Sequence, residues 1–352
     1  MIVQMTPRKP DERRRAVKRL TLVASTFVLA VLALGVFVGA PTAQPAPRVL
    51  EACRDGGASI DATDLPRFVE PGECPVRGRV IEDVGVGSVV PEPGEGVYAE
   101  ALTTAGAQEL EVTRLPDGTI ELEHVGDDAG DVPALEPARG DLAAARGAPG
   151  ECSDEAYTDE DWRVTIGLSY SFNRTTTPRE IRADAAQGAI TTAGTNITGT
   201  RNNCGLEDQV PAEMKYLGDT DSEANISRTN CEDPDEISVV SFGDLAGSIL
   251  AGTCTWRARN PSGYNEVVES DVKINKANFK WAANPRARTC RDKYDLQSVM
   301  THEWGHTFGL GHVSEEAHGR LTMSTLIRDC QKSERTLGKG DVRGLNNKYK
   351  TP

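Results

Sequence analysis

The residues best suited to chemistry lie in one short run, residues 302–312, which reads His-Glu-Trp-Gly-His-Thr-Phe-Gly-Leu-Gly-His and holds three of the chain's five histidines. On a helix, His302 and His306 stand one turn apart, so both imidazoles project from one face and can grip a single Zn²⁺. Glu303 sits beside them, within reach of a water on the metal without being a ligand itself. Gly309 follows where a helix must stop and reverse if a third ligand is to arrive. Lacking Cβ, it can adopt the left-handed conformation that such a turn needs. His312 then completes three ligands and leaves one tetrahedral position open for water. Three neutral imidazoles, a base and an open position are the components of a hydrolytic zinc centre with one catalytic ion.

Downstream, Leu321-Thr322-Met323-Ser324-Thr325 places a methionine eleven residues after His312. The run His302 to His312 together with Met323 resembles the metzincin clan, whose Met-turn lies beneath the zinc ligands. Its surroundings resemble the matrixin branch. Tyr294-Asp295-Leu296-Gln297-Ser298-Val299 is similar to the start of the matrixin active-site helix, and Lys339-Gly340-Asp341-Val342-Arg343-Gly344-Leu345, ending at Tyr349, to its C-terminal helix. The resemblance is specific over residues 290–350 and looser back to about residue 160. It implies a zinc endopeptidase of α+β class, with a twisted mixed sheet, an active-site helix, a Met-turn and a C-terminal helix. In that family Gly309 and Met323 would be structural supports. Thr325 replaces the tyrosine that some metzincins carry after the Met-turn, so a tyrosine ligand is not expected. No histidine lies between His124 and His302, which leaves the second, structural zinc of vertebrate matrixins without ligands.

The elements that must position these residues can be read backwards from the motif. Leu296, Met300, Trp304 and Phe308, four apart, predict the buried stripe of the zinc helix. Alternation predicts strands over 162–172 and 266–275, and apolar runs predict strands over 236–242 and 249–256. The resemblance makes 249–256 the edge strand that pairs with an extended substrate, and 326–338 the lining of the pocket after the scissile bond. Thr177-Pro178-Arg179-Glu180 predicts a helix start with a capping box, running to about residue 198. Asp219, Asp221 and Glu223 could bind Ca²⁺, although their loop lacks an EF-hand glycine and reads more simply as a solvated turn.

Ahead of this catalytic region, 152–352, the chain changes character. Residues 126–151 read as an exposed linker, and 41–125 as an acidic region with a small β module at about 75–126. Within it, 97–103 and 110–125 alternate, with a turn at Leu115-Pro116-Asp117-Gly118. Residues 41–95 look loosely structured apart from a Cys53–Cys74 clip. The module reads as a spacer, or as a prodomain; a cysteine switch through Cys74 is the sharper alternative, but Pro71-Gly72-Glu73-Cys74-Pro75 lacks the Arg-Cys-Gly core of that switch. His124 reads as an exposed strand residue.

Residues 1–43 carry seven Lys/Arg against two acids, and the basic tail, 1–19, abuts 21 uncharged residues at 20–40. At about 1.5 Å per residue such a helix reaches roughly 31 Å, enough to cross a bilayer with its N-terminus in the cytoplasm. A retained single-pass anchor is favoured over a cleaved signal because the stretch exceeds a usual h-region and Pro41 follows Val38-Gly39-Ala40. Either way the remainder is extracytoplasmic. The eight cysteines, widely spaced, agree by reading as disulfides. Cys53 with Cys74 and Cys290 with Cys330 are the expected pairs, the other pairings being open. The net charge of −14 leaves no basic patch outside the tail, which excludes nucleic acid as a partner. The composition suits a high-GC bacterium.

These observations predict a monomeric zinc-dependent endopeptidase acting on extracellular proteins or peptides, with Glu303 as general base for a zinc-bound water. The alternative is a non-catalytic, zinc-containing surface binding module, which the presence of Glu303 argues against.

Overall fold

The computed structural model describes residues 48–124, 148–260, 264–286 and 290–350. The basic tail at 1–19 and the hydrophobic stretch at 20–40 lie outside the described residues, as do 126–147 of the expected linker. Among the described residues no helix is long and apolar enough to cross a membrane.

After the short strand pieces Ser59–Asp61 and Phe68–Val69 come β1 (Val80–Asp83) and β2 (Val86–Val89), joined antiparallel. A meander of β3 (Glu95–Thr103), β4 (Ala107–Arg114) and β5 (Ile120–His124) follows. The catalytic region supplies β6 (Gly167–Phe172), α1 (Ala183–Thr198), β7 (Glu213–Asp219), β8 (Ser238–Gly243), β9 (Ile249–Ala258) and β10 (Asn265–Asn275). It ends with α2 (Leu296–Thr307) and α3 (Lys339–Tyr349). The main sheet is mixed and runs β7-β6-β8-β10-β9-β3-β4-β5, with Phe68–Val69 beyond β5. β7, β6, β8 and β10 are parallel to their neighbours, while β9 turns antiparallel against β10. This α+β arrangement of mixed sheet, buried helix and C-terminal helix fits the expected catalytic fold.

The consequential feature is the junction of β9 with β3. The two pair antiparallel over most of their length, with Thr253 opposite Glu100. The N-terminal meander therefore continues the catalytic sheet instead of standing apart from it. Side chains on a strand alternate between faces, and β3 uses both. Tyr98 and Leu102 join the catalytic core with α1 and α2, whereas Val97, Ala99 and Ala101 join a second core with Ile81, Leu110 and Val112. Residues 48–95, expected to be loose, contribute Ile60, Leu65, Val69 and Val86 to that second core. The Cys53–Cys74 bridge closes it.

Two local expectations change. The stretch 162–172 is not one strand: Trp162–Arg163 pairs with β10, and β6 starts only at Gly167. Between them, the amides of Val164 and Thr165 are taken by Tyr349 Oη and Glu266, which diverts the chain from the sheet. The helix expected from Thr177 starts at Ala183 instead, because Asn173 caps a 3₁₀ turn at Arg174–Thr176. Thr177 Oγ1 is left buried without a partner, so its capping box is not formed.

Disulfides join Cys152–Cys204, Cys231–Cys254 and Cys290–Cys330 as well as Cys53–Cys74. All eight cysteines are thus paired, as in proteins of oxidising compartments.

Candidate metal centre

The helix that carries the motif is fixed at both ends. Asp295 caps its start, accepting from the Ser298 amide at 3.1 Å, and Arg335 holds the same buried carboxylate through two bonds of 2.6 Å. Leu296, Met300, Trp304 and Phe308 form the predicted stripe and are fully buried. The helix stops where Gly309 takes φ +83°, a left-handed conformation that favours glycine. A Cβ there would stand 2.5 Å from Trp162 O. After this reversal, Leu310–Gly311 pairs with Thr158–Asp159 and delivers His312.

The structure brings His302, His306 and His312 together. Their Nε2 atoms form a triangle with sides of 2.9, 3.1 and 3.2 Å. Each Nδ1 faces an acceptor: Thr322 O at 2.8 Å from His302, Leu310 O at 3.0 Å from His306, and the Glu109 carboxylate from His312. Protons on the Nδ1 atoms leave three Nε2 lone pairs converging with no hydrogen between them. Such a set repels itself unless a cation sits among its members, and three imidazoles suit zinc. Burial, reinforced by the neighbouring His312, holds His302 down to about pKa 3 and His306 well below its ordinary value. Both imidazoles are therefore neutral across the physiological range.

Glu303 is fully buried beside this triangle. Its Oε2 accepts from Thr253 Oγ1 on β9 at 2.5 Å, and the carboxyl of Glu100 stands within hydrogen-bond reach of its own. Burial raises its pKa.

Three further residues come from the N-terminal meander and were not singled out in the sequence. Glu100, on β3, is 2% exposed; its carboxyl lies within hydrogen-bond reach of that of Glu303, and among the described residues no N–H or hydroxyl donor reaches its oxygens. One of them lies within 4.8 Å of the ligand atoms of all three histidines. Burial, then the charge of Glu303, pushes its pKa well above the ordinary carboxylate range. Tyr98 Oη lies 3.2 Å from His306 Nδ1 and donates to Glu109 at 2.5 Å. Glu109, on β4, thus receives both Tyr98 and His312. One signal was visible: Glu100 interrupts an otherwise apolar inward face of β3, Tyr98-x-Glu100-x-Leu102.

Beneath the histidines, a Cβ at Gly305 would collide with Met323 Sδ, which shows how closely the methionine underlies the helix. Asp341 shapes that turn by accepting from the amides of Thr322 (2.9 Å), Met323 (3.3 Å) and Gly338 (2.8 Å). The candidate calcium residues do not converge. Asp219 faces Tyr216 and Arg174, Glu223 lies 3.8 Å from Lys273, and Asp221 contributes a backbone carbonyl to Asn173. Among the described residues, the three histidines with Glu100 form the one group of His, Cys, Asp or Glu side chains converging tightly enough for a metal. Cys74, bonded to Cys53, has no thiolate to offer.

A sequence model of the Matrixin family matches residues 117–350, about two thirds of the chain. No curated protein matches it.

Proposed function

The chain belongs to the matrixin family of zinc-dependent endopeptidases, and we propose that His302, His306 and His312 hold its catalytic zinc while Glu303 moves the proton. The observation that carries this reading is the triangle of Nε2 lone pairs, with each opposite nitrogen already committed to an acceptor. When bound, zinc polarises the scissile carbonyl and lowers the pKa of the attacking water toward about 7.

The chain's own residues do the rest. Thr253 fixes one oxygen of Glu303, so the other is oriented toward the attacking water. Glu303 accepts the water's proton and returns it to the leaving amine. The expected edge strand β9 lies inside the sheet, between β10 and β3, so an extended peptide adds to it as a further strand only where β3 is displaced. Gly309 sets the reversal that delivers His312, and Met323 supports the floor. Substrates are proteins or peptides; the paired cysteines support an extracytoplasmic enzyme, and the basic tail ahead of the apolar stretch is the ground for reading 20–40 as its anchor.

The test is Glu303→Gln. It should retain zinc while turnover falls by about 10²- to 10⁴-fold, the contribution of a positioned general base. Substantial residual proteolysis would remove Glu303 from this role.

A further inference from the structure

From the position of β3 we infer that residues 48–124 form a built-in inhibitory module, in which β3 occupies the substrate edge of β9 and Glu100 supplies the fourth protein ligand to the zinc. The inference rests on the zinc-peptidase reading above and adds a latent state to it.

Three independent observations support it. The first is the edge itself. A peptide can add to β9 only on the side away from β10, and β3 holds that side from Glu95↔Ala258 to Thr103↔Ile249. A catalytic zinc needs an open position and an open edge. Here both are taken.

The second is Glu100. A buried carboxylate without a hydrogen-bond partner is costly unless it is paired or coordinates a metal. Apart from the Glu303 carboxyl beside it, Glu100 has no such partner, and one of its oxygens stands among the three imidazoles. A zinc held by three histidines and one carboxylate is a closed four-coordinate site, with no place left for water. Glu100 and Glu303 lie side by side, and a cation between the former and the histidines relieves the repulsion that two buried carboxylates would otherwise carry.

The third is the distribution of disulfides. Cys53–Cys74 lies within the module, and the other three lie within 152–330. No disulfide crosses between the two parts, and no cysteine is left over to form one. One backbone cut between residues 125 and 147 therefore leaves the module held by strand pairing, core contacts and the metal alone. A module meant only as a spacer would not need its strand in the cleft. The latch differs from the cysteine switch, which Pro71-Gly72-Glu73-Cys74-Pro75 argued against, in chemistry, a hard oxygen replacing a thiolate, and in position.

The test uses the full chain loaded with Co²⁺, whose visible absorption reports its coordination. Wild type, Glu100→Gln and Glu100→Ala are compared, the near-isosteric Gln guarding against a folding defect. Azide is added to each as a small probe of an open position. The wild-type spectrum should ignore azide, whereas both variants should respond. A specific protease site inserted between 126 and 147 is then cut. Wild-type chain, diluted and freed of the module, should bind azide and gain peptidase activity by about tenfold or more, since dilution defeats an inhibitor once its tether is gone. An azide response in the uncut wild type equal to that of Glu100→Ala would overturn the inference, because Glu100 would then not be a ligand. So would loss of metal and activity when the module departs, which would make Tyr98 and Glu109 permanent supports of the site. Failure of the folded chain to bind Co²⁺ at all would instead overturn the zinc assignment on which this one stands.

Discussion

At the scale of single residues, the chemistry depends on carboxylates whose surroundings assign them different tasks. Glu303 accepts from Thr253 and faces the Glu100 carboxyl beside the histidine triangle, Glu109 faces Nδ1 of His312, and Asp341 accepts from the amides of Thr322 and Met323. Gly309 is equally constrained, for its φ of +83° and the nearby Trp162 carbonyl leave no room for a side chain. Gly309→Ala should cost about 1–2 kcal/mol in backbone strain alone, and the collision adds to that. Zinc titration should show weakened binding, because the same turn positions His312. Much of this was legible in the sequence, since His302, Glu303, His306, Gly309 and His312 act through local spacing that a helix converts directly into geometry. Glu100, Tyr98 and Glu109 were not, because their role depends on a strand pairing between segments about 150 residues apart, Glu100 with Thr253. No local period encodes which edge a strand will join.

At the scale of elements, the zinc helix is held by what flanks it. The Asp295–Arg335 pair joins the helix start to the turn at Ser333–Arg335, and Asp295 is fully buried. Arg335→Ala leaves that charge without its cation, so unfolding in denaturant should show a loss of about 3–5 kcal/mol. Glu334, next to it, is buried and pushed up to about pKa 7 from 4.5, chiefly by burial. Its folded pKa exceeds its unfolded one, so the native state binds more protons between about pH 4.5 and 7. Stability from this group is present at low pH and is lost as pH rises through 7. Glu334→Gln should therefore flatten the fall in stability between pH 5 and 8, as measured by chemical denaturation; an unchanged slope would show that Glu334 does not titrate there. The expected β9 and β10 appear nearly as read, because one is a long apolar run and the other a long alternation. The early strand and helix boundaries moved, because Tyr349, Glu266 and Asn173, remote or just upstream, took the backbone groups that those elements would have used.

At the scale of the whole molecule, an N-terminal meander and a catalytic unit share one sheet but no covalent cross-link beyond the chain itself. A cut between 125 and 147 should yield two fragments that separate on a denaturing gel without reductant. Fragments that separate only after reduction would contradict the disulfide pattern. The central claim is that this chain is a zinc endopeptidase working through the histidine triangle. The measurement that tests it most directly follows zinc content and hydrolysis of a quenched peptide library together, on the cut chain freed of its module. The account predicts one zinc per chain, cleavage abolished by 1,10-phenanthroline, and activity restored by adding zinc back. A folded chain that holds its zinc and cleaves nothing in the library would contradict it and favour a binding module instead.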